Sequence, residues 1–194
     1  YTNLVSIFYN NNDNNLSNKK LRQSLNYALP ETFSQGERAS SPIPPINIYF
    51  TKILNSGIYD KEIAKTSLEG SSMDIKNINI EISTTKDYED VAKIIQKSWG
   101  GIGIKSKIKI VSDVPDNFQV LLYSFNVPQD PDQYVLWHSD QRSNITHYKN
   151  LRIDKLLEDG RSITDIDERI KIYADFQKYL LDDVPASFLY FPYD

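Results

Sequence analysis

The sequence predicts an α/β fold, a sheet flanked by helices, on three observations. Patterns of period two, the mark of a half-buried strand, alternate with patterns of period 3.6, the mark of an amphipathic helix. Residues 76–111 run strand, helix, strand without interruption, which reads as a β-α-β unit with parallel strands and a right-handed crossover. With 40% hydrophobic and 12% aromatic residues in 194, the chain has the means to bury a core, and that length favours one domain or one large lobe of something bigger.

Each element has its own local reason. Residues 4–9 alternate as a strand and run into NNNDNN, a polar turn whose side chains satisfy their own backbone. Ser17 is placed to cap a helix with Leu21, Leu25, Ala28 and Leu29 on one face, and Pro30 stops it. The prolines of SSPIPP (residues 40–45) withhold donors and hold their predecessors extended, which reads as a stiff surface crossing. Residues 60–68 form a short helix. Ile78, Ile80 and Ile82 alternate in a strand over 76–84, and Tyr88, Val91, Ala92, Ile95 and Trp99 then recur at helical spacing. Gly100 and Gly101 are expected to end that helix in a left-handed turn. Residues 104–111 and 117–125 supply two further strands. Asn150 caps LRIDKLLEDG, and Asp165 with Glu168 forms a D-x-x-E box ahead of Ile166, Ile170, Tyr173, Phe176 and Leu180. The last residues, DDVPASFLYFPYD, read as extended, with Asp182 and Asp183 as solvated surface.

Charge and composition exclude several functions. Lys and Arg total 22 against 26 Asp and Glu, so there is no global basic field to gather nucleic acid or anionic lipid. The absence of cysteine removes disulfides, thiolate nucleophiles and Cys-based metal sites. The longest apolar runs fall far short of the ~20 residues a spanning helix needs. GxSxG, GxxxxGK[ST], HExxH and GxGxxG are absent, and GGIGIK ends a helix rather than opening one, so no enzyme is expected. The chain starts at Tyr1 without methionine or a signal-peptide core and stops without a polar tail, which reads as a processed or cut chain.

DPDQYVLWHSDQRSNITHYKN, residues 130–150, concentrates chemistry-bearing side chains: Asp130, Asp132, Tyr134, Trp137, His138, Asp140 and His147. Such residues suit a metal site, a catalytic centre or the wall of a ligand cleft. The nine-residue spacing of the histidines matches no compact ligand pattern, so neither a metal nor another cofactor is expected. Asp130 is a good N-cap and Pro131 a good first helical residue, which would bring Tyr134, Trp137 and His138 onto one helical face with Trp137 and Tyr134 also suited to the core. Asn144 opens an N-x-T sequence that fits loop ordering better than glycosylation.

Seven blocks in order resemble one family: LRQSLNYAL (21–29), SPIPP (41–45), YDKEIAKTSL (59–68), VAKIIQKSWGGIGIK (91–105), DPDQYVLWHS (130–139), HYKNLRIDKLLEDGR (147–161) and ERIKIYADFQKYLLDDVPASFLY (168–190). Together they are similar to the family 5 extracellular solute-binding proteins, the oligopeptide and dipeptide receptors of ABC importers. The resemblance implies a type II periplasmic-binding fold, with this chain as the second, C-terminal lobe carrying a mixed sheet flanked by helices, and the N-terminal lobe outside it. It implies an extracytoplasmic protein, often a lipoprotein, that binds a peptide or small solute between two lobes and delivers it to ABC membrane subunits. On that pattern Tyr123, Phe125, Asn126, Val127 and Asp130 line the cleft, with Tyr134, Trp137 and His138 behind or beside them. The resemblance further implies an acidic residue, common in peptide-binding relatives, after the cleft strand to pair with the ligand's α-amino group; Val127 stands at that place, so either Asp130 takes over the role or no free N-terminus is recognised, the second being the favoured reading because Asp130 is expected to be used as a helix cap. A receptor for a non-peptide solute such as a sugar or metal complex, and a protein-interaction module derived from a receptor lobe, remain open at this point.

Overall fold

The computed structural model describes residues 3–54 and 56–194. The elements follow in the order β1 (Asn3–Tyr9), α1 (Lys19–Tyr27), β2 (Gly36–Arg38), α2 (Lys61–Gly70), β3 (Asn79–Thr84), α3 (Glu89–Gly100), β4 (Lys105–Ile110), β5 (Val120–Asn126), α4 (Tyr134–Trp137), α5 (Leu151–Ser162), α6 (Ile166–Asp183) and β6 (Ala186–Pro192). The strands form one six-stranded sheet in the order β2-β6-β1-β5-β3-β4. β3 lies parallel to both β4 and β5, while β1, β2 and β6 pair antiparallel, so the sheet is mixed.

The reason β1 reads as an almost unbroken apolar run is that both its faces are covered. Val5, Ile7 and Tyr9 join a cluster with Leu21 and Leu25 of α1, Leu68 of α2 and Trp99 of α3. Leu4 and Phe8 join a second cluster with Trp137 of α4, Leu157 of α5 and Phe176 of α6. The result is three layers, with α1–α3 on one side of the sheet and α4–α6 on the other. Burying side chains such as these stabilises by about 1.5–3 kcal/mol each, which is what draws the amphipathic helices onto the sheet.

The sequence expectations for β1, α1, α2, α3, β4, β5 and the helices of the last third are met within a few residues at the ends. Four local details differ. Asn18, not Ser17, caps α1, its side chain accepting from Lys20 and Leu21 N–H; Ser17 is drawn instead into the preceding turn, where its N–H donates to Asp13. Gly100 and Gly101 stay in the right-handed region, and the left-handed residue is Gly103 at φ +86°, just before β4. SSPIPP is not a surface crossing: Ser41 and Ile43 are buried. Gln177 of α6 holds that segment down, its Oε1 accepting from Ser41 Oγ at 2.8 Å and its amide donating to Tyr49 O at 2.8 Å. Finally, Asp183 is not simply solvated; its carboxylate accepts from Tyr148 Oη and from Asn150 Nδ2 at 2.8 Å and faces Lys19 Nζ at 3.2 Å.

Candidate functional site: the β5 end of the sheet

β5 emerges from the core as it runs. Val120, Leu121 and Leu122 are buried, Tyr123 to Phe125 are half-buried, and Asn126 is exposed. Its end lies beside the start of β1, with Phe125 opposite Leu4 and Asn126 opposite Asn3. Phe125 is braced edge-on by Phe8, ring centroids 5.9 Å apart. Tyr123 is braced edge-on by Tyr88 at 6.2 Å, and Tyr88 Oη lies 3.0 Å from Ser124 Oγ on the same strand. Tyr88 stands just past the carboxyl end of β3, and because β3 and β5 are parallel neighbours their carboxyl ends meet on one edge, the place where open α/β sheets present ligand sites.

The turn after β5 is held from three sides. Asp130 does not cap a helix as its sequence context suggested. α4 is one turn, Tyr134–Trp137, and it is Asp132 whose carboxylate accepts from Tyr134 N–H at 2.9 Å. Asp130 has been taken by a stronger partner. Arg169 of α6 meets it with both terminal nitrogens, at 2.9 and 2.8 Å, a bidentate arrangement worth more than a single backbone bond. Arg169 is itself oriented by Gly160 O at 2.8 Å and lies over the rings of Tyr49 and Tyr173. The guanidinium holds the Asp130 carboxyl below the usual carboxylate range. On the other side Asn47 Nδ2 donates to Gln129 O at 2.9 Å, tying the turn to the loop that follows SSPIPP.

Of the residues expected behind or beside the cleft, Trp137 and His138 are buried and Tyr134 is half-buried. Trp137 is 1% exposed and packs against Phe8 and Phe188, its Nε1 donating to Gln133 Oε1 at 2.8 Å. Gln133 in turn donates to Pro42 O at 2.9 Å. His138 is also buried, stacked on Tyr134 at 4.2 Å, with Arg161 on the same Tyr134 ring at 4.0 Å. Both His138 ring nitrogens face carboxylates, Nε2 to Glu158 at 2.9 Å and Nδ1 to Asp140 at 2.7 Å. His147 is separate from it, in a left-handed backbone conformation. Among the described residues no group of three or more His, Cys, Asp or Glu is placed to hold a metal ion. Asn144 is buried with its amide donating to His138 O at 3.2 Å and Tyr148 O at 2.9 Å, so the N-x-T sequence orders the loop between α4 and α5.

The structure thus brings Tyr123, Phe125, Asn126, Val127 and Asp130 to one edge and sets Tyr134, Trp137 and His138 beneath it. Sequence reading missed Tyr88, Tyr49 and Arg169. For Tyr88 a signal existed, an aromatic residue immediately after the carboxyl end of a parallel strand. For Arg169, 39 residues from its partner, there was none. Chemically the edge offers aromatic faces, a side-chain amide and backbone groups, which is binding chemistry. Among the described residues no helix is long and apolar enough to cross a membrane.

Comparison with known proteins agrees with the α/β fold. Residues 1–146 match the model of the bacterial extracellular solute-binding proteins, family 5 Middle. The chain is 28% identical over 223 residues to the oligopeptide-binding protein AppA of Bacillus subtilis (strain 168), covering 97% of this chain and 41% of that protein. The structure of B. subtilis AppA in complex with a nonapeptide superposes with a TM-score of 0.87 at 26% identity, covering 98% of this chain and 45% of the other. The substrate-binding protein CtaP of Listeria monocytogenes superposes with a TM-score of 0.89 at 25% identity, covering 99% and 44%. The chain therefore spans about two-fifths of the length of the curated relatives it matches. With the family model covering three-quarters of its residues and a mixed sheet shared with such receptors, the chain belongs to the bacterial extracellular solute-binding proteins, family 5.

Proposed function

We propose that this chain is the second lobe of a two-lobed receptor and supplies one wall of a cleft that captures oligopeptides or a related small solute for an ABC importer. The family is one of binding proteins, not enzymes. The observation that carries the reading is the half-buried end of β5: Phe125 is braced by buried Phe8 and Tyr123 by half-buried Tyr88, with Asn126 exposed beside them. Rigid aromatic groups next to an amide are suited to a peptide, whose side chains need apolar surface and whose backbone needs hydrogen-bonding groups. The receptor works outside the cytoplasmic membrane, tethered to it, and its partners are the other lobe and the importer's membrane subunits.

The same edge bears on which end of a peptide it reads. Residues 126–129 are uncharged, Val127 stands where the family resemblance leads one to expect an acid, and the Asp130 carboxylate is already engaged by Arg169. A buried ammonium left unpaired costs about 3–5 kcal/mol, enough to abolish ordinary affinity. This lobe therefore accepts internal or blocked peptide segments rather than a free N-terminus. The test is calorimetry on the complete receptor with matched free and N-acetylated peptides. Affinities within about threefold of each other are expected, with a loss of about tenfold on Phe125→Ala. A loss of tenfold or more on acetylation would overturn the N-terminus assignment, and unchanged affinity in both Phe125→Ala and Tyr123→Ala would overturn the placement of the wall.

A further inference from the structure

β2 is only three residues long, and its last ladder pair is Arg38 with Tyr190. Beyond that pair β6 continues back to Ala186 with no strand on this side. The Arg38 side chain covers part of the gap, its Nη1 donating to Phe188 O at 2.6 Å and Leu189 O at 2.7 Å. The rest is roofed by the segment before α2, the end of α1 and the last turns of α6. They leave a cavity of about 730 Å³, a size that suits a small organic ligand. We propose that this cavity is a second binding site, for a small organic anion with an apolar or aromatic body.

The lining matches that class group by group. Its floor is the apolar surface of Ala186 and Phe188, and its walls include the rings of Tyr27, Tyr59 and Tyr179. Two of those rings are already fixed: Tyr59 lies 3.9 Å under the Arg38 guanidinium, and Tyr179 lies 4.4 Å under that of Arg152. The charged lining groups are Lys52, Lys178 and Asp182. Asp182 is paired with Lys19 at 2.7 Å, whereas neither Lys52 nor Lys178 has a carboxylate within ion-pairing distance among the described residues. Behind Tyr59, Arg38 adds a third positive charge whose acceptors are all backbone carbonyls. In a chain of net charge −4 such a local excess of cations over free acids selects for an anion. The cavity lies against β6, two strands and roughly 10 Å across the sheet from β5, with Ala186 level with Leu121 and Phe188 level with Tyr123.

Octanoate, octanol and octylammonium, titrated into the complete receptor and followed by calorimetry, separate charge from apolar contact. Octanoate is expected to bind saturably and at least about tenfold more tightly than octanol, with octylammonium weakest. The double variant Lys52→Glu/Lys178→Glu changes only exposed side chains; it is expected to lose the octanoate preference and to keep the affinity for a cleft peptide. No saturable octanoate binding, equal binding of octanoate and octanol, no effect of the double variant, or displacement of octanoate by a cleft peptide would each overturn the proposal. Because peptide affinity is read separately, failure here leaves the cleft reading standing, and failure of the cleft leaves this one standing.

Discussion

Arg169 shows how much one side chain can organise. It joins the turn after β5 to α6 and rests on Gly160 O, so the geometry at Gly160 matters to the site. Gly160 is buried inside α5, and a methyl group there would come within 2.6 Å of Tyr173 Oη and 2.8 Å of Cζ. Helix propensity alone would favour alanine by about 1 kcal/mol, but overpacking of this kind costs about 1–3 kcal/mol. Gly160→Ala is therefore expected to destabilise by about 0–2 kcal/mol, the overpacking cost less the propensity gain. The Tyr173 hydroxyl is buried close to Arg169 without a hydrogen bond of good geometry, so Tyr173→Phe is expected to cost less than about 1 kcal/mol and to recover part of the loss in the double variant. Urea denaturation of the two single variants and the double gives the coupling; strictly additive losses would show that the clash is not with the hydroxyl.

At the level of elements, α4 and α5 are joined by an ionic cluster beside the apolar core they share through Trp137, Ile153 and Leu157. His138, just after α4, faces Glu158 and Asp154 of α5 and Asp140 of the following turn, while Tyr134 is stacked between it and Arg161. Burial opposes a charge on His138, but hydrogen bonding to Glu158 and the fields of Asp154 and Asp140 outweigh it and raise its pKa above 6.5. A group whose pKa is raised on folding stabilises fully below its unfolded value and loses that contribution as pH rises through the folded value. The His138 contribution is thus expected to be full below about pH 6.5, the ordinary histidine value, and to be lost as pH climbs above it through the raised folded value. In His138→Gln this part of the decline disappears. Denaturant midpoints of both proteins across that range check it, and an identical pH profile in the variant would remove His138 as the cause.

For the whole molecule, two apolar clusters share one sheet, and β1 contributes to both, so neither layer can come away without exposing the other. The chain is expected to unfold in a single sigmoidal transition by circular dichroism when heated; a broad non-cooperative loss of signal would contradict that. The β5 edge, by contrast, is one-sided. Small-ligand sites enclose some 70–90% of a ligand's surface, and a single wall provides about half of the contacts and little exclusion of water. Residues 1–194 alone are expected to bind peptides far more weakly than the complete receptor, and calorimetry finding micromolar or tighter binding by this chain would refute the two-wall reading.

The local elements of the fold were legible in the sequence because their causes are local. The isoleucines of β3, the helical spacing of Val91, Ala92, Ile95 and Trp99, and the caps at Asn150 and Asp165 each involve residues a few positions apart. Block order carried the family. What the sequence alone could not decide was which distant segments meet. β1 is inserted between β5 and β6, more than a hundred residues away, and Asp130 turns from a helix cap into the partner of an arginine 39 residues downstream. The same is true of SSPIPP, polar and proline-rich by composition yet buried because Gln177 satisfies it from α6. Periodicity reports how a segment uses its own two faces, but the partner each face meets is chosen by closing long loops and packing the whole core at once, and only the tertiary structure records that choice.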